Sequence, residues 1–193
     1  MDAKQKYWRV VPGVLVLLSG CLGGGLNRLN QVDSNPSTGF EIYRSGTPKE
    51  EDLKEWCRLG IKDIFALNGL AGDYQKRLGE LCPSAQVVYN EEQNADAPVA
   101  AEFLQRFDEK VSKAQAEGTK ILFHCSCGCH RTGRLAAYYR IKYNGWSSDA
   151  AIREMHEIGD DMDQHPSLDP QVRAMEDYIR GRPCTQAAAY CIQ

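Results

Sequence analysis

The sequence predicts an α/β domain with a central, mostly parallel sheet flanked by helices. From Phe40 onward, short apolar runs rich in β-branched and aromatic residues alternate with longer segments of helical periodicity. The apolar run at residues 120–123 leads directly into a loop and then into a helix. This order is typical of a parallel sheet, whose strands are joined by helices and whose ligands bind beyond the carboxyl ends of the strands.

Each element follows from its local pattern. The helix at residues 47–60 is predicted from Thr47 as N-cap, Pro48 in the first turn and Gly60 as terminator. The helix at residues 98–117 is predicted from apolar residues at helical spacing. The remaining predicted strands are residues 40–46, 61–69 and 85–90, and the remaining predicted helices are residues 74–82, a helix from Arg131, residues 148–158 and residues 169–180.

The length and charge of the chain limit its partners. A chain of 193 residues is long enough for one domain with a sizeable core. A net charge of −3 gives no general attraction to nucleic acids or to anionic membranes. We therefore expect no nucleic-acid partner, and any anionic substrate must be attracted by a local site.

The first twenty residues are predicted to be an export signal. Lys4, Lys6 and Arg9 precede an apolar run that is too short to span a bilayer, and Cys21 follows Ser-Gly. The end of this run resembles the bacterial lipobox, in which the cysteine is lipidated and becomes the mature N-terminus. A plain secretory signal is the alternative.

The predicted organisation follows from this signal. Residues 1–20 are the signal peptide, residues 21–38 a flexible tether, residues 39–181 the domain, and residues 182–193 a C-terminal tail. The expected localisation is that of an exported bacterial lipoprotein, anchored in the outer membrane through lipidated Cys21 because Leu22 rather than aspartate follows. The lipid anchor is the expected contact with a membrane, and the sequence leaves the oligomeric state open.

Four of the eight cysteines have no role that sequence can assign. Cys57 with Cys82, and Cys184 with Cys191, could form disulfides in an exported protein. Free thiols that pack as small apolar residues are the alternative, and sequence leaves the pairing open.

The most informative stretch is HCSCGCHRTG at residues 124–133. Cys125, Cys127 and Cys129 lie between His124 and His130, and such residues are good ligands for zinc or copper. Alternate spacing does not suit a tetrahedral structural site, however, and the chain has no second ligand pair at zinc-finger spacing. We therefore expect no metal.

A phosphate-binding loop accounts for more of the same stretch. A loop between a strand and a helix N-terminus directs several backbone N–H groups, and the positive end of the helix dipole, into one concavity. Gly128 permits the close backbone approach that such a loop needs, and Arg131 would hold two phosphate oxygens. The same field would make Cys125 a thiolate and therefore a nucleophile.

These residues resemble a known family. The stretch fits the His-Cys-x5-Arg-Ser/Thr signature of the cysteine-dependent protein tyrosine phosphatase superfamily. The flanking sequences look like compact dual-specificity-type phosphatases, and the ending His-Arg-Thr-Gly is similar to the branch that acts on inositol phosphates. The resemblance covers about residues 40–180.

The resemblance implies a role for each residue of the loop and no metal or organic cofactor. Cys125 would attack phosphorus and form a cysteinyl-phosphate, and Arg131 would hold the equatorial oxygens. Thr132 would help the sulfur leave, and His124 would orient the loop and favour the thiolate from outside the pocket. The substrate would be bound by the loop residues Ser126, Cys127, Gly128, Cys129, His130 and Arg131.

The family also uses an aspartate from a mobile loop as general acid. Asp96 lies about thirty residues before Cys125 and precedes a long helix, as that aspartate does. A helix N-cap before Pro98 is the alternative role for Asp96. Glu92 is the next candidate for the acid.

Cys127 and Cys129 differ from the common family residues at their positions. Their side chains could be incidental, with only their backbone amides used. Reversible oxidation of Cys125 with one of them is the other hypothesis.

The resemblance implies hydrolysis of phosphomonoesters, and three hypotheses about function remain. Inositol polyphosphates such as phytate are the first choice, because an anchored, exported enzyme meets such esters and because the surroundings of Asp96 are similar to the phytase type. A polyphosphate needs a basic pocket, for which the candidates are Arg44, Lys76, Arg77, His130 and Arg134. The alternatives are a tyrosine or dual-specificity protein phosphatase and an inactive phosphate-binding module.

Overall fold

A computed structural model describes residues 28–193. Five strands form one sheet in the order β1-β2-β5-β3-β4, in which β1 is antiparallel to β2 and all other neighbours are parallel. The strands are β1 (Asn30–Asn35), β2 (Phe40–Ser45), β3 (Ile61–Ala66), β4 (Gln86–Asn90) and β5 (Lys120–His124). The helices are α1 (Glu50–Leu59), α2 (Gln75–Leu81), α3 (Ala101–Glu117), α4 (His130–Asn144), α5 (Ser148–Ile158) and α6 (Leu168–Ile179). This architecture confirms the predicted fold class.

Alternate residues of the strands fill two cores, one on each face of the sheet. On one face, Ile42, Phe65 and Phe123 pack in a cluster with residues of α3 and α4. On the other face, Tyr43 and Leu122 pack in a cluster with residues of α1 and α2. Because both faces are covered, nearly every residue of β2, β3 and β5 is buried, as expected for the interior of a parallel sheet.

The topology places the cysteine loop at the carboxyl edge of the sheet. β5 lies between β2 and β3, and its last residue, His124, is paired with Ser45 of β2 and Ala66 of β3. The loop of residues 125–129 therefore leaves the sheet beside the segments that follow β2 and β3, and it leads into α4 at His130.

One strand lies in the segment predicted to be a flexible tether. Asn30–Asn35 form β1, so the tether prediction for residues 21–38 is wrong for these residues. The polar composition conceals the strand because only Val32 is buried. Asp33 accepts hydrogen bonds from Tyr139 and Asn144 of α4, and these tertiary contacts hold a strand that local sequence does not indicate.

Two helices begin later than predicted. α1 has Lys49 as its N-cap residue, because the Asp52 carboxylate accepts the Lys49 N–H at 2.7 Å. Thr47, the predicted N-cap, instead donates from its hydroxyl to the Cys125 carbonyl at 3.4 Å. α3 begins at Ala101 rather than at residue 98. The C-terminal caps at Gly60 and Gly118 adopt the left-handed conformation.

Both disulfides that the sequence left open are formed, Cys57–Cys82 and Cys184–Cys191. The second lies in the predicted C-terminal tail, which packs on the domain. The carbonyl of Gln193 accepts the N–H of Ala101 at the start of α3 at 2.8 Å, and Ile192 packs against the apolar core.

The predictions for the N-terminus concern residues that the structure does not describe. The predicted signal peptide, the predicted lipidation site Cys21 and residues 21–27 of the predicted tether lie outside residues 28–193. Among residues 28–193, no helix is both long enough and apolar enough to span a bilayer.

Candidate active site

The carbonyl groups of the cysteine loop are bound from the side of β2. Arg44, whose side chain is 1% exposed, donates from Nη2 to the carbonyls of Gly128 (2.8 Å) and Cys129 (3.1 Å). The N–H of Thr47 donates to the Ser126 carbonyl at 3.1 Å. These carbonyl oxygens therefore point away from the concavity at the start of α4, and a loop whose carbonyls are turned outward can offer N–H groups to an anion there.

Gly128 is required by the path of this loop. Its φ is +77°, which favours glycine. A Cβ at this position would lie 2.7 Å from the backbone N of Gly46 and 2.7 Å from the carbonyl carbon of Ser45. The loop therefore packs directly on the backbone that follows β2.

The sulfur of Cys125 is buried at the base of the loop, 3.7 Å from the hydroxyl of Thr132. Three residues donate hydrogen bonds to the Cys125 sulfur: Cys127 from its thiol, Thr132 from its N–H and its hydroxyl, and Gly128 from its N–H. These hydrogen bonds lower the pKa of Cys125, against the effect of burial. The pKa of Cys127 is raised by the same contact. The Cys129 N–H donates to Cys127 Sγ at 3.0 Å, so this amide, predicted for phosphate binding, is engaged by a loop side chain.

Arg131 lies across the mouth of the loop. Its Nη2 donates to the Ser126 hydroxyl at 3.0 Å, and its Nη1 donates to the carbonyls of Leu67 (3.3 Å) and Gln93 (3.4 Å). Glu92 Oε1 lies 3.8 Å from the same Nη1. The guanidinium is therefore fixed between the phosphate-binding loop and the segment after β4, in position to grip an anion from one side.

His124 lies behind the loop and is fully buried. Its Nε2 hydrogen-bonds to the hydroxyl of Tyr74 at 2.6 Å, and its ring packs against Trp56. Burial lowers the pKa of His124 to about 4, so the imidazole is neutral at neutral pH. His124 therefore supports the loop by packing and hydrogen bonding rather than by charge.

Asp96 lies in the segment between β4 and α3, and it does not cap the helix, whose N-cap is Ala100. Its carboxylate accepts the hydroxyl of Ser167 at 2.8 Å and pairs with His165 Nδ1 at 3.4 Å. These hydrogen bonds lower the pKa of Asp96, that from Ser167 first. The carboxylate remains accessible, with 61% of the side chain exposed.

Asp96 and Arg131 share an open pocket of about 520 Å³. The rings of His130 and His165 pack against each other in the same pocket, with centroids 4.0 Å apart and an angle of 47° between their planes. The pocket is lined by Glu92, Gln93, Asn94, Ala95, Asp96, His130, Arg131 and His165. In the part of the chain that the structure describes, no group of three or more His, Cys, Asp or Glu residues is arranged to hold a metal ion.

The structure brings the site residues predicted from sequence into one region. His124, Cys125, Arg131 and Thr132 surround the loop, and Asp96 and Glu92 line the pocket above it. The supporting residues Tyr74, His165, Ser167 and Gln171 were not predicted from sequence, and neither was the role of Thr47, whose hydroxyl accepts a hydrogen bond from Asn68 at 2.8 Å. These come from other elements and carry no local motif, so only the topology identifies them.

The chain matches the family model "Dual specificity phosphatase, catalytic domain" over residues 73–177, which is more than half of its length. It is 31% identical over 142 residues to the dual specificity protein phosphatase TpbA of Pseudomonas aeruginosa, in strains UCBPP-PA14 and PAO1. That match covers 72% of this chain and spans 58% of the length of these curated relatives.

Solved structures have the same fold. The crystal structure of P. aeruginosa TpbA matches with a TM-score of 0.55 and 28% identity, over 80% of this chain and 91% of that one. A TpbA variant in complex with pTyr matches with a TM-score of 0.59 and 27% identity, over 78% of this chain and 95% of that one. The core catalytic domain of the PP-IP phosphatase SIW14 from S. cerevisiae has a TM-score of 0.60 at 22% identity, over 81% of this chain and 85% of that one. This match shows a likeness of fold alone.

The family match and the site agree. The matched residues include the loop with Cys125 and Arg131, and Asp96. The chain therefore belongs to the dual-specificity phosphatase family and carries the cysteine-dependent phosphatase domain of that family.

Proposed function

We propose that this chain hydrolyses phosphomonoesters through a cysteinyl-phosphate intermediate and that its preferred substrates carry phosphotyrosine. One observation carries the chemistry: the buried Cys125 sulfur lies beside the Thr132 hydroxyl in a loop whose mouth is crossed by Arg131. A nucleophile, an anion-binding guanidinium and a hydrogen-bond donor to sulfur are the groups that phosphoryl transfer to cysteine requires.

The first step forms the intermediate. Loop N–H groups and Arg131 bind the phosphate dianion, and the Cys125 thiolate attacks phosphorus. The S–P bond forms as the P–O bond to the leaving group breaks, and Asp96 gives its proton to the leaving oxygen.

The second step restores the enzyme. Asp96, now a carboxylate, accepts a proton from water as the water oxygen bonds to phosphorus and the S–P bond breaks. The Thr132 hydroxyl donates to the departing sulfur and stabilises the thiolate. His124 acts on neither reacting atom and supports the loop from behind through Tyr74.

The charge of the pocket favours phosphotyrosine over the inositol polyphosphates expected from sequence. Of the residues that line it, Arg131 is the permanent cation, while Glu92 and Asp96 are carboxylates. A ligand with many phosphates needs more positive charge than this.

Three of the five basic candidates for a polyphosphate site, Arg44, Arg77 and Arg134, are engaged elsewhere. Arg44 and Arg134 are buried, and both donate to carbonyl groups. Arg77 pairs with Glu50 and Glu80 on the surface. The pTyr complex of the related TpbA further supports the protein-phosphatase alternative.

Phosphate release from a panel tests the proposal. The substrates are a phosphotyrosine peptide, a phosphoserine peptide, inositol hexakisphosphate and 4-nitrophenyl phosphate. We expect the highest kcat/KM among natural esters for phosphotyrosine and no release by Cys125→Ser. Preference for inositol hexakisphosphate would contradict the phosphotyrosine proposal and support the inositol polyphosphates expected from sequence. Release by Cys125→Ser would contradict the mechanism.

We propose further that the domain is exported and held on a membrane through lipidated Cys21. The sequence around Cys21 supports this, and the two disulfides suit an oxidising compartment. In bacteria that express the protein, labelled palmitate should enter the wild type and not Cys21→Ser, and the variant should leave the membrane fraction. Labelling of Cys21→Ser equal to that of the wild type would contradict the proposal.

A further inference from the structure

We propose that Arg134 is a positioning residue for the general acid: with Gln171, it fixes the backbone of residues 93–97, the acid loop. The inference rests on the proposed function, in which Asp96 gives its proton to the leaving group. It concerns how Asp96 is held at a fixed place relative to Cys125.

Arg134 binds the acid loop along most of its length. Its Nη1 donates to the carbonyl of Ala97 at 2.6 Å, and its Nη2 donates to the carbonyl of Asn94 at 3.3 Å. Nη2 also donates to the Gln93 side-chain oxygen at 3.3 Å. One planar guanidinium thus joins the beginning and the end of a five-residue segment, which a lysine could not do.

Gln171 of α6 completes the contact. Its side-chain oxygen accepts a hydrogen bond from Arg134 Nη1, and its Nε2 donates to the Ala95 carbonyl at 3.0 Å. Both side chains are almost inaccessible, with Arg134 1% and Gln171 0% exposed. The loop backbone is therefore held by two buried side chains, while Asp96 points from it toward the pocket.

The acceptors of Arg134 are unusual for a buried cation, because each of them is uncharged. Burying a guanidinium without a carboxylate is costly, and carbonyl groups compensate only in part. An apolar residue would fill this position on α4 at lower cost. A requirement to hold several carbonyls of one loop explains why an arginine stands here.

The position of Arg134 on α4 links the acid to the nucleophile. It follows Arg131 by three residues, so both side chains lie on the same face of the helix. Arg131 Nη1 donates to the Gln93 carbonyl at 3.4 Å, while Arg134 binds the following residues. The helix that begins at the phosphate-binding loop thus also carries the acid loop, and it sets the spacing between Cys125 and Asp96.

The dependence of the rate on the leaving group tests this inference. Protonation by an acid matters for phosphotyrosine and matters little for 4-nitrophenyl phosphate, whose leaving group is a weak base. We expect Asp96→Asn to lower kcat about 100-fold for phosphotyrosine with a much smaller effect on 4-nitrophenyl phosphate. Arg134→Met should lower kcat for phosphotyrosine about tenfold, with a much smaller effect on 4-nitrophenyl phosphate and little change in KM.

Two further variants separate positioning from charge and from folding. Arg134→Lys keeps the charge and should show the same selective loss as Arg134→Met. In the Asp96→Asn background, Arg134→Met should add no further loss for phosphotyrosine, because both changes remove one function. Gln171→Leu should give a smaller loss of the same kind, and it replaces Arg134→Met if that variant does not fold.

Ile141→Ala is the control for stability. Ile141 lies on the same helix and packs among α5 and α6. We expect this variant to lose stability and to affect both substrates equally.

Each contrary outcome has a definite meaning. Equal effects of Arg134→Met and Gln171→Leu on the two substrates would reduce both residues to a structural role and overturn the inference. Full activity of Arg134→Lys would assign the effect to charge and overturn positioning. An unselective Asp96→Asn would remove the acid on which the inference rests. Failure of the wild type on every ester, or activity of Cys125→Ser, would instead contradict the proposed function.

Discussion

Cys125 is buried and yet its pKa is lowered, because two effects act against each other. Burial in apolar surroundings raises the pKa of a thiol, whereas hydrogen bonds to the sulfur favour the thiolate. Cys127, Thr132 and Gly128 supply such hydrogen bonds. The side chain of Cys127, for which the sequence allowed an incidental role, therefore helps to lower the pKa of Cys125.

Replacing Cys127 tests this contribution. Cys127→Ala removes a donor to the sulfur and should raise the pKa of Cys125, so that alkylation by iodoacetamide requires a higher pH. Cys127→Ser keeps a donor and should stay closer to the wild type. The measurement is the inactivation rate against pH. Coincident profiles of wild type and Cys127→Ala would show that Thr132 and the backbone are sufficient to lower the pKa of Cys125.

The pH dependence of turnover reports on Asp96. A general acid must be protonated, and the hydrogen bonds from Ser167 and His165 lower the pKa of Asp96 by favouring its carboxylate. Ser167→Ala should therefore raise this pKa and move the alkaline limb of kcat for phosphotyrosine to higher pH. His165→Asn should move it in the same direction by less. For 4-nitrophenyl phosphate the limb should not move, and a limb that falls to lower pH in Ser167→Ala would contradict the assignment.

Sequence could predict the site residues that share one short segment and could not predict their supports. Cys125, Arg131 and Thr132 lie within eight residues, so their spacing alone indicates a phosphate-binding loop. From sequence, Arg44 and Arg134 were only basic candidates for binding a substrate. Their burial against loop carbonyls depends on where β2 and the acid loop pass, which is a property of the topology.

At the scale of elements, the phosphate-binding loop depends on its contact with the end of β2. Gly128→Ala would place a Cβ 2.7 Å from the Gly46 backbone at a φ of +77°. The loop must shift, and a displacement of about 1 Å in a catalytic group can cost about 100-fold in rate. We expect kcat to fall by at least about 100-fold for 4-nitrophenyl phosphate as well as for phosphotyrosine.

Gly145→Ala is a matched control for this variant. Gly145 has a φ of +72° at the end of α4, and a Cβ there would meet nothing within 4 Å. Its replacement should cost about 1–2 kcal/mol of stability from the backbone conformation alone and leave kcat unchanged. Equal kcat values for both variants would show that the close packing of Gly128 is unimportant.

The elements that sequence predicted best are those whose pattern repeats over several turns. α5 has the predicted bounds, Ser148–Ile158, because the Ser147 side chain caps it and its apolar face is regular. β1 was missed because it is held by its pairing with β2 and by contacts with α4 rather than by its own apolar residues. α1 begins late because Thr47 is used by the phosphate-binding loop.

At the scale of the whole molecule, the two disulfides found within residues 28–193 close loops of different length. Cys57–Cys82 connects α1 with the end of α2 across 25 positions, and Cys184–Cys191 closes 7 positions of the C-terminal segment. A crosslink lowers the entropy of the unfolded chain more when its loop is longer. The longer link also lies in the core that covers one face of the sheet.

Paired alanine variants should therefore differ in stability. We expect Cys57→Ala/Cys82→Ala to lose about 3 kcal/mol of unfolding free energy and Cys184→Ala/Cys191→Ala about 2 kcal/mol, measured by urea denaturation. A reductant should destabilise the wild type by about the sum of both and leave the four-alanine variant unaffected. A larger loss from the short link would show that contacts of the C-terminal segment, such as that of Gln193 with Ala101, outweigh the entropy of the unfolded chain.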